Sequence, residues 1–309
     1  MNLSVRFFKR LFLGILVAII IIPIITSICF GISAGRAKKQ VAELTQKIQA
    51  ENLTVYVKDE EETELKTVVK DDVAATPDPD LPYQSLYPDL YCDTYKPSEW
   101  VREENTVYLT FDDGPSSNTE KVLTILREAN IKATFFVTGR GDVPKAETLK
   151  KIVDEGHTLA LHTYTHDYGN IYASVEAYLD DFNQIYQLVY ESTGVKPELF
   201  RFPGGSINGY NGAVYQPLIA EMTRRGFAYF DWNVSGQDAS NVATVSSITQ
   251  SVVQGVSKSY RAIVLLHDSA DKGNTIKALP GMISEIKKQG FSFAPLTTKT
   301  KPIAFSYGD

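Results

Sequence analysis

Five short clusters hold most of the side chains in this sequence that could do chemistry. They are Asp112-Asp113-Gly114-Pro115, His162-Thr163-Tyr164-Thr165-His166, Arg201-Phe202-Pro203-Gly204-Gly205, Asp231-Trp232-Asn233 and His267-Asp268. Each alone has an ordinary reading. Adjacent aspartates before Gly-Pro serve as turn and cap residues, Arg-Phe-Pro-Gly-Gly can be a turn, and a single His267 can be a hydrogen-bonded core histidine. A His-x-x-x-His pair brings two rings to one side of a turn without requiring a metal. Together, however, Asp113, His162 and His166 form a ligand set of two nitrogens and one oxygen. Such a set leaves a coordination position for water, which suits a catalytic rather than a structural metal.

Positioning these clusters requires an element order that the sequence supplies. Short apolar runs at Val107–Phe111, Ala133–Val137, His157–Leu161, Leu199–Phe202, Phe227–Asp231, Ala262–Leu266 and Phe291–Ala294 read as strands. Amphipathic stretches at Thr119–Ala129, Pro144–Glu155, Ser174–Ser192, Gly212–Arg225, Val245–Ser257 and Thr275–Gln289 read as helices between them. Alternation of this kind predicts an α/β fold of about seven parallel strands with helical crossovers. Periodicity does not choose between a barrel and an open doubly wound sheet. In either case the carboxyl ends of the strands carry the site, and all five clusters follow predicted strands.

The ordered clusters resemble the five motifs of the NodB-homology polysaccharide deacetylases, carbohydrate esterase family 4. The match rests on Thr110-Phe111-Asp112-Asp113-Gly114-Pro115, His162-x-x-x-His166, Arg201-x-Pro203, Asp231-Trp232-Asn233 and Leu265-x-His267, and spans roughly residues 105–297. It implies a distorted, incomplete (β/α) barrel. It also implies Asp112 as general base, His267 as general acid, and Asp113, His162 and His166 as ligands of a divalent cation. Zinc is the usual metal, with cobalt, nickel and manganese as alternatives. Arg201 corresponds to the arginine that orients the base. Asp231 corresponds to a carboxylate that pairs with the arginine or tunes the acid histidine. Trp232 and Leu265 are expected to line the acetyl pocket.

The implied reaction is chemically coherent. Hydrolysis of an unactivated amide needs activated water, and a metal lowers the pKa of water to about 7. Asp112 would take a proton, the Gly204 N–H would help to stabilise the oxyanion, and His267 would protonate the leaving amine. Two positions depart from the pattern. Gly204 stands where relatives often carry an aromatic residue, which predicts a rim that is opened or reshaped. Leu161 stands where a polar residue often precedes the first histidine. His157 reads as structural, and Asp268 as a turn residue or a neighbour of the site. Tyr164, Tyr168, Tyr210 and Tyr215 offer sugar-stacking surfaces or ordinary packing.

The rest of the chain bounds where such chemistry would act. Among 309 residues the net charge is −6, which argues against a broadly basic nucleic-acid binder. Two cysteines, Cys29 and Cys92, cannot staple a fold of this size. Leu11–Gly35 is a run of 25 residues without a charge, with basic residues on both sides. As a helix it would reach roughly 37 Å, enough to span a membrane. It is too long for the apolar core of an ordinary cleaved signal peptide. The expected organisation is a cytoplasmic N-terminus (1–10), a transmembrane anchor (11–35), a juxtamembrane helix with an acidic linker (36–104), and the deacetylase domain (105–309). Apolar positions within 36–53 could support weak self-association. Residues 54–104 carry 14 acidic and 5 basic side chains, as a solvated stalk would.

Acetylated aminosugar polymers are external materials, so the resemblance places the catalytic domain outside the cell, facing the wall. The first expected substrate is N-acetylglucosamine in peptidoglycan. N-acetylmuramic acid, poly-N-acetylglucosamine, chito-oligosaccharides and O-acetyl esters are alternatives. A catalytically silent, membrane-anchored glycan binder is the reading from a different class.

Overall fold

Four strands are sheltered almost entirely from solvent: β1 (Thr106–Asp112), β2 (Thr134–Thr138), β3 (Thr158–Thr163) and β7 (Arg261–His267). Near-continuous apolar runs of this kind are what parallel strands covered on both faces require. The computed structural model describes residues 77–92, 100–101, 103–240 and 242–305. Short strands β4 (Leu199–Phe200), β5 (Ala228–Tyr229), β6 (Val234–Ser235) and β8 (Ser292–Phe293) complete the sheet. The order is β5-β4-β3-β2-β1-β7-β6, with β8 added on β1, and every ladder is parallel. Since β5 and β6 stand at the two ends of the path, the barrel is incomplete. The C-terminal segment lies beside β5, where Asp231 N–H donates to Ile303 O at 2.8 Å.

Strand alternation divides the core into two parts and selects the residues of the site. Val107, Leu109 and Phe111 of β1, with Ala262, Val264 and Leu266 of β7, pack under the helices. Tyr108, Phe136, Ala160 and Ile263 face the other way, into a smaller cluster with Leu199, Ala228, Phe230 and Leu296. Side chains repeat every two residues along a strand. The inner series therefore continues from Tyr108 through Thr110 to Asp112, from Ala160 to His162, and from Ile263 through Leu265 to His267. The inner face is apolar at the bottom of the barrel and reactive at the carboxyl ends of its strands.

Helices α1 (Thr119–Ala129), α2 (Lys145–Asp154), α4 (Val175–Thr193), α5 (Tyr215–Arg224), α6 (Val245–Ser257) and α7 (Gly273–Lys288) lie within a few residues of the expected bounds. Helix α1 buries Thr119, Val122, Leu123 and Leu126, one stripe at helical spacing. Ser174 caps α4 by accepting from Ala177 N–H, and Gly194 ends it in the left-handed conformation. Among the described residues from 103 onward, two elements are additional to the expected set. Strand β6 is too short for an apolar run, and the single-turn helix α3 (Tyr168–Ile171) is started by Asp167 accepting from Gly169 N–H.

Part of the stretch expected to be linker, around the 3₁₀ turn Pro82–Ser85, is tied to the end of α5, where Arg224 donates to Gln84 O at 3.2 Å. Arg225 is fully buried. It donates to the carbonyls of Tyr87 and Leu86 at 3.0 and 2.8 Å, while its Nε holds Glu221 at 2.6 Å. Leu90 joins the main core at 1% exposure, and Cys92 N–H donates to Arg225 O. The half-buried Cys92 thiol points to Pro197 O. The expected anchor (11–35) and the self-association stripe (36–53) lie outside the described residues. Among the described residues no helix is long and apolar enough to cross a membrane.

Candidate active site

Parallel register brings the predicted base and acid together. Asp112 at the end of β1 pairs with His267 at the end of β7 and with Phe136 of β2. Asp113 follows in the left-handed region at φ 72°, a costly conformation for a non-glycine residue that turns its carboxylate toward the end of β3. His166 also has positive φ, at 52°. Backbone strain of this kind persists only where surrounding contacts enforce it, and both strained residues belong to the proposed ligand set.

Ligand atoms of Asp113, His162 and His166 all lie within 4.8 Å of one another. Asp113 Oδ1 is 3.2 Å from His166 Nε2 and 3.7 Å from His162 Nε2. His162 Nδ1 lies 2.7 Å from Arg201 O, an acceptor only, so Nδ1 carries the proton and Nε2 presents its lone pair to the cluster. Burial, reinforced by neighbouring His166, pulls the His162 pKa down to about 3 and keeps the ring neutral. Asp113 Oδ1 is buried and has no hydrogen-bond partner. A buried carboxylate oxygen without a donor, facing imidazole nitrogens, fits a divalent cation. The residues present therefore match the metal site that the sequence pattern implies.

Arg201 is fully buried beneath this cluster. Its Nη1 donates to Asp112 Oδ1 at 2.8 Å and to Thr110 Oγ1 at 2.7 Å, and its Nε donates to Phe230 O at 2.8 Å. The guanidinium also lies 4.2 Å from the centre of the Phe136 ring. Burial pushes the Asp112 carboxyl above the usual range, while Arg201 and His267 pull it back. The result is a shielded carboxylate of raised basicity held in one orientation.

The partner of His267 is Asp238, which sequence reasoning missed. Asp238 Oδ1 lies 2.9 Å from His267 Nδ1, and Asp238 Oδ2 accepts the His267 backbone N–H at 2.8 Å. Thr275 Oγ1 donates to the same Oδ2. Burial alone would lower the histidine. The Asp238 hydrogen bond and the charges of Asp238, Asp112 and Asp113 outweigh it and raise the pKa to about 9.

Asp231, expected to pair with the arginine or tune the acid histidine, places its carboxylate bonds elsewhere. Its carboxylate accepts from Ser206 N–H, Ser206 Oγ and Phe305 N–H. Only its backbone oxygen meets Arg201, at 3.3 Å. Asp231 therefore ties the Arg201-Phe202-Pro203-Gly204-Gly205 loop to the C-terminal segment, and Asp238 occupies the place beside His267.

The remaining predicted residues divide between rim and packing. Trp232 is half-buried, edge-on to Phe305 at 4.8 Å, with the Arg201 guanidinium 5.6 Å from its ring. Leu265 is buried one inward step before His267. Gly204 has φ 74°, and a Cβ there would meet Tyr168 Oη at 3.1 Å. Rather than leaving an open rim, Tyr168 covers Gly204, lies edge-on to His166 and contacts the exposed ring of Tyr210. Tyr164 instead packs on Gly139, where a Cβ would clash with its ring. Asp268 is buried beneath Gly114 and accepts from Thr119 Oγ1. Burial, aided by the charges of Asp113 and Asp112, pushes it up to about 7. His157 accepts the Ala133 N–H at the bottom of β3, as a structural histidine would.

A cavity of about 420 Å³ opens beside Asp113 and His166, with Arg140 and Lys272 on its lining. It provides room for a sugar next to the ligand cluster.

The described geometry has counterparts among known proteins. A sequence profile for polysaccharide deacetylases matches residues 101–220. A Bacillus cereus peptidoglycan-N-acetylglucosamine deacetylase is 32% identical over 201 residues, 64% of this chain and 90% of that one. The Bacillus subtilis peptidoglycan-N-acetylmuramic acid deacetylase PdaA is 30% identical over 200 residues, 62% of this chain and 70% of that one. The crystal structure of the catalytic domain of a peptidoglycan N-acetylglucosamine deacetylase from Eubacterium rectale superposes with a TM-score of 0.64 at 34% identity. That match covers 69% of this chain and 98% of that one. With these likenesses added to the motifs and the incomplete barrel, the chain belongs to the polysaccharide deacetylase family.

Proposed function

We propose that this protein is a metal-dependent hydrolase that removes N-acetyl groups from N-acetylglucosamine residues of peptidoglycan. The observation that carries the proposal is the pairing of Asp112 and His267 on adjacent strands, each oriented by a buried partner, beside the Asp113, His162 and His166 cluster. A cation held by that cluster, zinc in our reading, supplies Lewis acidity that acidifies water and polarises the acetyl carbonyl.

The chain's own residues provide the proton transfers and the fit. Asp112, held by Arg201, accepts the proton of the attacking water. The Gly204 N–H donates to the oxygen that gains charge as the carbonyl becomes tetrahedral. His267, kept protonated by Asp238, gives its proton to the amine nitrogen as the C–N bond breaks. Acetate and a free amino sugar leave. Trp232 and Leu265 border the acetyl group, and the cavity beside Arg140 accommodates the adjoining polymer.

Relatives named for N-acetylglucosamine in peptidoglycan support the choice of sugar, and PdaA makes N-acetylmuramic acid the natural comparison. The apolar run Leu11–Gly35 supports a single-pass anchor with the catalytic domain facing the wall. The test is to incubate the full-length protein in detergent with peptidoglycan and, separately, with chito-oligosaccharides. Mass spectrometry of the digested products then identifies the sugar that has lost an acetyl group. Loss from N-acetylglucosamine in peptidoglycan supports the proposal. Loss only from muramic acid, only from chito-oligosaccharides or only from O-acetyl esters reassigns the substrate.

A further inference from the structure

Helix α4 carries a carboxylate that its packing does not call for. Asp181 is 2% exposed on the helix face that also buries Tyr178, Phe182 and Ile185. A buried carboxylate is strongly unfavourable unless its oxygens are bonded. All three hydrogen bonds to Asp181 come from one turn of chain. Its Oδ1 accepts the Tyr164 N–H at 2.5 Å, and its Oδ2 accepts the Thr165 N–H at 2.9 Å and the Thr165 hydroxyl at 2.5 Å. Tyr164 and Thr165 lie between the two histidines of the ligand cluster.

The two histidines depend on this turn to different degrees. His162 is fixed independently, by its place at the end of β3 and by the bond from Nδ1 to Arg201 O. His166 follows the turn directly and takes φ 52°, a strained conformation for a residue with a Cβ. Its ring meets Tyr168 edge-on and approaches Asp113, so its position is set largely by the backbone that carries it. On the opposite side of the turn, the Gly139 N–H donates to Tyr164 O at 3.0 Å, and the Tyr164 ring packs over Gly139. The turn is thus clamped between α4 and the end of β2.

We propose that Asp181 is a positioning residue for the metal centre: it anchors the turn between His162 and His166 and thereby holds His166 where it can ligate the cation. The inference rests on the reading of Asp113, His162 and His166 as a metal site. Ligand geometry that the fold fixes beforehand does not have to be ordered when the ion binds, so removing the anchor weakens the ion even though no ligand is lost.

The test measures zinc affinity by competition with a chromophoric chelator, using full-length protein and zinc alone. Asp181→Asn places an N–H₂ group where the turn presents N–H donors and is expected to weaken zinc about 10- to 100-fold. Thr165→Val removes one of the three donors and is expected to weaken it several-fold, which keeps the test alive should Asp181→Asn fold poorly. Leu90→Ala, remote from the site, lowers the melting temperature without changing zinc affinity. It separates positioning from general destabilisation. Wild-type zinc affinity in folded Asp181→Asn, or in Thr165→Val if the former does not fold, overturns the inference. Failure of the wild-type protein to bind zinc overturns the metal reading and this inference with it.

Discussion

The Asp238 carboxylate lies 2.9 Å from His267 Nδ1 and also accepts the His267 backbone N–H, so one side chain fixes both ring and backbone of the proposed acid. A proton on Nδ1 then leaves Nε2 to carry the proton that would be transferred. In the metal-free protein, His267 is expected to stay protonated to about pH 9. Asp238→Asn should bring its titration back toward the ordinary value near 6.5, as followed by NMR of the imidazole. Since the folded-state pKa is raised, the associated stability is complete below about pH 6.5 and is lost as pH rises through about 9. In Asp238→Asn that alkaline loss should shrink, and acetate release should fall at least about 10-fold.

Arg201 has no exposed surface and four acceptors around it: Asp112, Thr110, Phe230 O and Asp231 O. Arg201→Met leaves the Asp112 carboxylate buried without its partner and is expected to cost about 3–5 kcal/mol in urea unfolding. Arg201→Lys should recover only part of this loss, because a single ammonium cannot satisfy the same planar set of acceptors. Equal stability of wild type and Arg201→Met would contradict the role assigned to the guanidinium.

Acid stability should reflect His157. Burial, with help from the charge of Lys132, lowers its pKa to about 4, and its Nδ1 accepts the Ala133 N–H. The unfolded chain takes up a proton near pH 6.5 while the folded protein does not. Stability from this residue is therefore lost as pH falls from about 6.5 to about 4. Urea midpoints across that window should fall less steeply in His157→Gln than in wild type. Identical slopes would show that the residue does not contribute.

Residues 82–92 should behave as part of the folded domain. A chain shortened to begin at Asn105 loses the burial of Leu90 and the carbonyls that receive Arg225. It should melt roughly 5–10 °C below a chain beginning at Pro77. Matching melting temperatures would return this stretch to the linker.

Much of the site was legible because its residues stand at the ends of strands whose apolar runs are hard to misread. Asp112, His162 and His267 inherit their direction from the alternation of buried strands, and Asp113 is turned to join them by its left-handed backbone. What escaped depends on short elements and distant returns of the chain. Asp238 follows β6, a strand of two residues with no periodicity to detect. Asp180 and Asp181 look alike in sequence, yet only the second is buried, and helical spacing alone does not say which faces the turn. The bonds of the Asp231 carboxylate were hidden because Ser206 lies in the irregular loop after β4, and Phe305 belongs to a C-terminal segment that returns to the barrel from 74 residues away. The packing of residues 82–92 was hidden because they lie within the acidic, proline-interrupted stretch 54–104, which resembles a solvated linker.

The most direct test of the account is acetate release from peptidoglycan by the full-length protein, first stripped of metal by a chelator and then reloaded with zinc. The account predicts no release after stripping, recovery on reloading, and loss of at least about 100-fold in zinc-loaded Asp112→Asn. Undiminished release by the stripped enzyme, or by Asp112→Asn, would contradict it.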